Sequence, residues 1–371
     1  MSDLAPGGRL AIIHIGPMKT GSTSIQTWLA RARRPLEQHG VYVPMHSKST
    51  NLSRLSRTFQ ASAGEIRKDR VPANAMAARE LLMADLKALP TTAHTCVFSA
   101  EMFAHMMKRP SIEQLKEALE PYFDRWLVVI YLRRQIDLAV SRFSTSSRQG
   151  RKAKLARPFD YARVLHDWSA VFGREAIRPR LYSRDELVDG DVVADFIATA
   201  GLPQIRSRAQ ARERNPSLKP EAQVFLDALT RRLKADGSSI RTIQQRGAVL
   251  GALNSHHSGP GRQPRREEVI RFMAQAEETN EQVRAEWFPD RQALFDSEYS
   301  KFPETDPAEP TAEKLLEVAL DVLSALLGTD RSAKGAETPA GLRSNRVSQA
   351  KEATKRPARR TAKRAAQQTS A

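Results

Sequence analysis

Short apolar runs at residues 10–15, 95–99, 126–132 and 177–182 punctuate the first 200 residues, and apolar positions recur at helical spacing between them. The first run is followed by Ile25, Trp28 and Leu29 on one helical face, which predicts a helix to about Gln38, ended by Gly40 before the short stretch Val41–Pro44. Further helices are predicted over 73–89, from Ser111 (as N-cap, with Gln114 at the capping-box position), from Gln135, and over 158–172 and 192–200. Strands alternating with helices, with a fully apolar run at 126–132, predict an α/β fold with a parallel sheet covered by helices on both faces. Residues 45–72 are polar and rich in Ser and Arg, and read as a long loop with room for one helical turn. Beyond Pro203 the pattern is helical, at 219–234, 265–288 and 312–327, with polar connections that include a flexible loop at 254–264 carrying His256-His257.

Charge changes this picture in one place. The chain of 371 residues has a formal charge of +17, and residues 331–371 hold eleven Lys and Arg against Glu337 and Glu352. That stretch lacks large apolar residues and reads as a disordered basic tail. The expected organisation is an α/β core at 9–210, a helical region at 211–329 packing on it, and the tail at 330–371. No run is long enough to span a membrane and residues 1–9 lack the order of a signal peptide, so a cytoplasmic location is expected. The single cysteine, Cys96, sits in an apolar run and reads as a buried small hydrophobe.

Candidate chemistry starts at Ile15-Gly16-Pro17-Met18-Lys19-Thr20-Gly21-Ser22-Thr23. A strand, a Gly-containing turn with a lysine and hydroxyls, and a helix N-terminus together make an anion site. Lys19 precedes Gly21 rather than following it, so the Walker nucleotide pattern fails. A second motif, Val129-Ile130-Tyr131-Leu132-Arg133-Arg134-Gln135-Ile136-Asp137-Leu138-Ala139-Val140-Ser141, puts an arginine at the end of a buried strand and a serine eight residues on. Arginine's fork suits a phosphate dianion and the serine hydroxyl adds a donor. Lys19, Glu101, Arg133 and Tyr182 all fall at carboxyl ends of strands, where ligands bind on parallel sheets.

The pair of motifs, over residues 9–200, resembles the phosphosulfate loop and 3′-phosphate site of sulfotransferases that use 3′-phosphoadenosine 5′-phosphosulfate (PAPS), bacterial members in particular. The resemblance implies a P-loop-like fold and sulfuryl transfer from PAPS to a hydroxyl or amine. Lys19 would hold the 5′-phosphate and neutralise the leaving oxygen, Thr20, Gly21, Ser22 and Thr23 would donate to the phosphosulfate, and Arg133 and Ser141 would hold the 3′-phosphate. Tyr182 would meet the adenine or serve as a buried structural tyrosine, and Arg134 reads as a surface charge. Glu101 is the expected general base, with His105 the runner-up; Glu101 alternatively caps or ion-pairs at a helix start. His14 reads as a core histidine, and the resemblance calls for no metal.

The acceptor is expected to be a small molecule or glycan, with positive charge favouring an anionic saccharide or glycolipid. The tail is expected to touch anionic polymers or a membrane surface weakly, without specific nucleic-acid binding. Two other classes stay open: a P-loop kinase, and a non-enzymatic anion- or nucleic-acid-binding protein on the same fold.

Overall fold

The computed structural model describes residues 8–44, 50–148, 155, 157–205, 217–239, 245–305 and 308–328. The predicted parallel sheet is present, built from β1 (Leu10–His14), β2 (Val41–Tyr42), β3 (Thr95–Ser99), β4 (Arg125–Leu132) and β5 (Ile177–Leu181) in the order β2-β3-β1-β4-β5, with every pairing parallel. Strand β1 is central: Ile12 faces Val97 of β3 on one side and Leu127 of β4 on the other. Its alternate side chains enter two different cores, as the two-residue period of a strand requires.

On one face, Ala11, Ile13 and Ile15 join Phe98, Ile130 and Leu132 beneath helices α2 (Leu55–Ser62), α3 (Ala73–Lys87), α4 (Phe103–Met106), α5 (Arg109–Leu119) and α7 (Tyr161–Phe172). On the other, Ile12 packs with Val97, Val129 and Tyr131 under α1 (Ser22–Gln38) and α8 (Val192–Thr199). Helix α6 (Gln135–Arg148) leaves the end of β4. Its apolar Ile136 meets Val269, Phe272 and Met273 of α11 (Arg266–Ala274). Helix α9 (Pro220–Ala235) also packs on α6, and α12 (Glu277–Trp287) packs on α7. Val283 and Leu294 enter the first core, so the C-terminal helices are tied to the sheet unit by shared apolar burial. Helices α9, α10 (Arg246–His256) and α13 (Ala312–Leu326) add a smaller cluster of their own around Leu226, Leu253 and Val318.

Several local expectations are corrected. Residues 45–49 lie outside the described residues, but the rest of the expected 45–72 loop contains the two-turn α2, whose Leu55 and Phe59 lie one turn apart and are fully buried against the first core. Ser111 is not the N-cap of α5: Lys108 is, with Ser111 at the third helical position accepting the Lys108 N–H at 3.0 Å. The single helix expected at 265–288 breaks after Ala274 into α11 and α12. The flexible loop expected at 254–264 begins inside the unpredicted α10, and His257 is buried, with Nε2 2.9 Å from Asp321 of α13. The predicted basic tail lies outside the described residues.

One buried charge anchors the sheet's second face. Asp195 on α8 is fully buried and accepts from Arg180 Nε and Nη2 at 3.1 and 2.6 Å, from the Tyr131 hydroxyl at 2.9 Å and from the Val188 N–H at 3.2 Å. Burial alone would raise its pKa, but the Arg180 fork and the Tyr131 hydroxyl outweigh it and hold the carboxyl below its ordinary value. Removing one partner of a buried pair leaves the other uncompensated. Arg180, however, is 37% exposed, so the main loss in Asp195→Ala is the acceptor of the buried Tyr131 hydroxyl and the Val188 N–H; a cost of about 1–3 kcal/mol is expected in a urea titration, whereas Asp191→Ala, which removes only the N-cap of α8, is expected to cost about 1 kcal/mol.

Candidate functional site

The strand order turns the four strand ends into a row. Along the carboxyl edge from β3 through β1 and β4 to β5 come Glu101, Lys19, Arg133 and Tyr182. The turn after β1 sets the centre of that row. Gly16 adopts φ +92°, and a Cβ there would come within 2.5 Å of the Glu101 carbonyl oxygen, so only glycine lets the two strand ends approach this closely. The Tyr131 N–H donates to the Gly16 carbonyl at 3.1 Å, carrying the β1–β4 pairing into the turn.

Lys19 itself sits at φ +72°, one of two non-glycine residues with positive φ among the described residues. Gly21, at φ +77°, is the N-cap of α1 and makes no side-chain capping bond. The first turn of α1 has no acidic residue, so its N–H groups and the positive end of the helix dipole face the rim uncompensated by any carboxylate of that turn. The sequence reading assigned the Thr20 and Ser22 hydroxyls to a ligand. The structure turns both inward: Thr20 Oγ1 donates to the Pro17 carbonyl at 2.7 Å and Ser22 Oγ to the same oxygen at 3.3 Å, with both residues buried. Their hydroxyls shape the loop, which leaves the backbone N–H groups of the first turn of α1, opened by Ser22 and Thr23, as the candidate donors at this end of the helix.

Arg133 joins the two motifs. Its Nη1 donates to the Lys19 carbonyl at 2.7 Å across 114 positions of sequence. Its own backbone is clamped by Tyr161, whose hydroxyl accepts from the Arg133 N–H at 2.9 Å and donates to the Arg133 carbonyl at 2.8 Å. The guanidinium lies 5.5 Å from the centre of the Tyr182 ring, which is half-buried and packs on the edge of the second core, edge-on to Tyr131. Ser141 is half-buried on the second turn of α6. Arg134 is no surface charge. It is buried, its Nε donates to Asp137 at 3.0 Å, and its Nη1 reaches the Asp296 carboxylate and the Glu298 carbonyl.

At the other end of the row, Asn51 was missed by sequence reading because it lies in the stretch taken as a polar loop. It forms a parallel bridge with Ser99, and its Nδ2 donates to Glu101 Oε1 at 3.3 Å. The Ser53 N–H donates to Asn51 Oδ1 at 2.9 Å, and Ser53 Oγ accepts the Met102 N–H at 3.1 Å, closing a small network around Glu101. The one usable signal was position: a polar segment just past a strand end of a parallel sheet belongs to the ligand-facing rim. Burial pushes the Glu101 carboxyl above its ordinary pKa, and the Asn51 hydrogen bond and the Lys19 charge offset this only in part. His105 stands one turn on, with Nε2 3.4 Å from the Met18 N–H and its ring edge-on to Phe159 at 4.6 Å. His14 is fully buried, with Nδ1 2.9 Å from Ser99 Oγ, and burial lowers its pKa to about 3. It is therefore neutral near pH 7 and belongs to the core.

No family model matches the chain. Over 174 residues, 43% of this chain, it is 28% identical to an uncharacterized protein of Archaeoglobus fulgidus, and the match covers 45% of that relative, less than half its length. Among solved structures, a sulfotransferase from Alicyclobacillus acidocaldarius aligns over 61% of this chain and 95% of its own, with a TM-score of 0.36 and 17% identity. The chemistry of the site therefore rests on the rim residues themselves. Among the described residues no cluster of His, Cys, Asp and Glu is arranged to hold a metal ion, and no helix is long and apolar enough to cross a membrane.

Two substitutions test this geometry by stability. A left-handed backbone costs an L-residue roughly 1–2 kcal/mol, so Lys19→Gly is expected to be about 1 kcal/mol more stable than Lys19→Ala in chemical denaturation. For Glu101 the folded pKa lies above the unfolded one. The wild type therefore loses stability as pH rises from the ordinary carboxyl value of 4.5 through the raised folded value. Glu101→Gln, which does not titrate, is expected to melt above wild type at pH 7–8, with the advantage gone below roughly pH 4; equal melting curves across that range would show that the carboxyl is not strained by burial.

Proposed function

We propose that this chain is a sulfotransferase that moves the sulfuryl group of PAPS to a hydroxyl or amine acceptor. The observation that carries the reading is the 2.7 Å hydrogen bond from Arg133 to the Lys19 carbonyl: it makes one site of two anion-suited turns that resemble, separately, the 5′-phosphosulfate loop and the 3′-phosphate arginine of that family. The donor set fits such a ligand. Gly21, in the αL region with Val192 packed where a Cβ would stand, opens an uncapped helix N-terminus whose N–H groups suit a tetrahedral anion, a lysine adds a point charge, and an arginine beside a tyrosine offers a fork for a second phosphate next to a ring able to meet adenine.

Transfer of a sulfuryl group is an in-line displacement in which negative charge grows on the leaving oxygen while the acceptor hydroxyl loses its proton. In the proposed mechanism the Lys19 ammonium and the start of α1 stabilise the leaving oxygen. Glu101 takes the acceptor proton. Its burial raises its proton affinity toward the working pH, which is what a general base needs, and Asn51 aims the carboxylate. His105 is the weaker candidate, since its Nε2 lone pair faces the Met18 N–H. Arg133, with Ser141 on the adjoining helix, holds the 3′-phosphate, and Tyr182 meets the adenine. We assign the catalytic unit to residues 9–210 with a helical region at 211–329, and take an anionic saccharide or glycolipid as the acceptor, a choice resting on the basic charge of the chain.

The test is thermal unfolding with adenosine 3′,5′-bisphosphate, the expected by-product, beside ATP with Mg²⁺. A ligand of the native state at a hundredfold excess over Kd stabilises it by about 2.7 kcal/mol. Stabilisation by the bisphosphate but not by ATP, abolished in Arg133→Ala, is expected. Stabilisation by ATP with Mg²⁺ alone would replace this reading with a kinase, and no response to either would leave the non-enzymatic anion binder.

A further inference from the structure

Arg133 continues β4 past its last paired residue. In a parallel ladder the backbone groups facing one neighbour recur at every second residue. Those of β4 that face β1 lie at Val129, whose carbonyl accepts the Ile15 N–H at 3.0 Å, and at Tyr131, whose N–H donates to the Gly16 carbonyl at 3.1 Å. The next such residue is Arg133. Opposite it the β1 chain offers no pairing: residue 17 is proline, which has no N–H to give, and the Pro17 carbonyl already accepts the hydroxyls of Thr20 and Ser22. On the other side the Leu132 carbonyl accepts the Tyr182 N–H at 2.7 Å, so the chain after β5 serves Leu132 and not Arg133. One side chain fills the gap. The Tyr161 hydroxyl accepts the Arg133 N–H at 2.9 Å and donates to the Arg133 carbonyl at 2.8 Å, standing where a residue of β1 would have paired.

Tyr161 is itself firmly held. It is the first residue of α7, whose start is fixed by Asp160 accepting the Arg163 N–H at 2.9 Å. Its ring has Phe159 at 4.9 Å and Phe295, from the segment after α12, at 6.2 Å. The residue is fully buried, and burial pushes its hydroxyl above the ordinary tyrosine value, so the oxygen keeps the proton it donates. A core hydroxyl is satisfied by any one backbone partner. This one gives both of its bonds to a single residue, the one whose guanidinium reaches the Lys19 carbonyl at 2.7 Å and lies 5.5 Å from the Tyr182 ring. Arginine recognises a phosphate through a planar fork, so its contribution depends on the direction in which the backbone sends the side chain. A displacement of about 1 Å in such a group can cost about a hundredfold. We propose, resting on the sulfotransferase reading, that Tyr161 is the positioning residue that aims Arg133 and thereby sets the preference of this site for a nucleotide with a second phosphate on its ribose.

The experiment is calorimetric titration of the full chain with adenosine 3′,5′-bisphosphate and with adenosine 5′-monophosphate, which lacks the second phosphate. The ratio of the two affinities isolates what Arg133 contributes. In Tyr161→Phe, which keeps the ring and removes the hydroxyl, that ratio is expected to fall about tenfold or more, with the affinity for the monophosphate unchanged. Leu165→Ala, which weakens the same helix from within the first core, is expected to keep the wild-type ratio at a lowered melting temperature. A Tyr161→Phe ratio equal to wild type, or a fall shared by Leu165→Ala, would overturn the proposal, and loss of the preference in Arg133→Ala would then keep the sulfotransferase reading standing. Retention of the preference by Arg133→Ala, or a wild type that binds neither nucleotide or both alike, would overturn that reading and this proposal together. Should Tyr161→Phe fold poorly, Phe159→Leu/Phe295→Leu changes two half-buried positions, loosening the ring while keeping the hydroxyl. A fall of about threefold in the ratio is then expected, and an unchanged ratio would refute the positioning role.

Discussion

The candidate site depends on β1 being hydrogen-bonded in parallel on both sides. A strand paired with both β3 and β4 brings three chain ends to one edge, and the pairing persists past the strand: Ala100 donates to the His14 carbonyl at 2.8 Å, Ile15 to Val129 at 3.0 Å and Tyr131 to Gly16 at 3.1 Å. Glu101, Lys19 and Arg133 come from segments 32 to 114 positions apart, and nothing local would assemble them. Register does this work. Because side chains alternate along a strand, a slip of one residue in any pairing would send the apolar set to the wrong face, and the two packed cores forbid it.

Against that rigid frame the rim holds groups that folding alone would not select. Lys19 occupies a backbone region that favours glycine, Glu101 is a carboxylate whose charge is disfavoured by its burial, and the N-terminus of α1 has neither a capping side chain nor an acid in its first turn. Each is a small cost in stability, and all three lie within one row of residues. A missing cap alone does not mark the site, since α2, α3 and α10 also begin without a capping side chain or an acid in the first turn; the rim adds to it a left-handed lysine and a buried carboxyl. Local conflict of three kinds gathered in one row of residues is the pattern expected of a functional site.

The alternation of strands and helices was legible because buried parallel strands are continuous apolar runs, and 126–132 is such a run over its whole length. The two anion-suited turns were legible because their chemistry is local. What escaped was non-local. Helix α2 hides in a polar stretch since Leu55 and Phe59 are its only large apolar residues, and their value becomes visible only with the first core behind them. Asn51 was unreadable for the same reason, because its partner lies fifty positions away. His256-His257 looked like loop because α10 is short and weakly amphipathic, and the burial of His257 depends on Asp321 from another helix.

Arg134 shows how far the helical C-terminal region reaches into the site. Its neighbour Arg133 has to turn toward Lys19, and the direction of that side chain is fixed by the backbone at the β4–α6 junction. Two anchors hold that junction. Tyr161 of α7 clamps both backbone groups of Arg133, and Arg134 is gripped by Asp137 within α6 and by Asp296 and Glu298 from the segment after α12. Lys301 from the same segment adds a 2.9 Å pair to Asp137, and Gln135 at the start of α6 bonds Asn280 of α12. Arg133 thus keeps its guanidinium at the rim, between the Lys19 carbonyl and the Tyr182 ring, while the next arginine is committed to the C-terminal segment. The two positions are not equivalent although both hold arginine at the end of one strand, since the alternation of the strand sends the first toward Lys19 and the second into the carboxylates of the C-terminal segment.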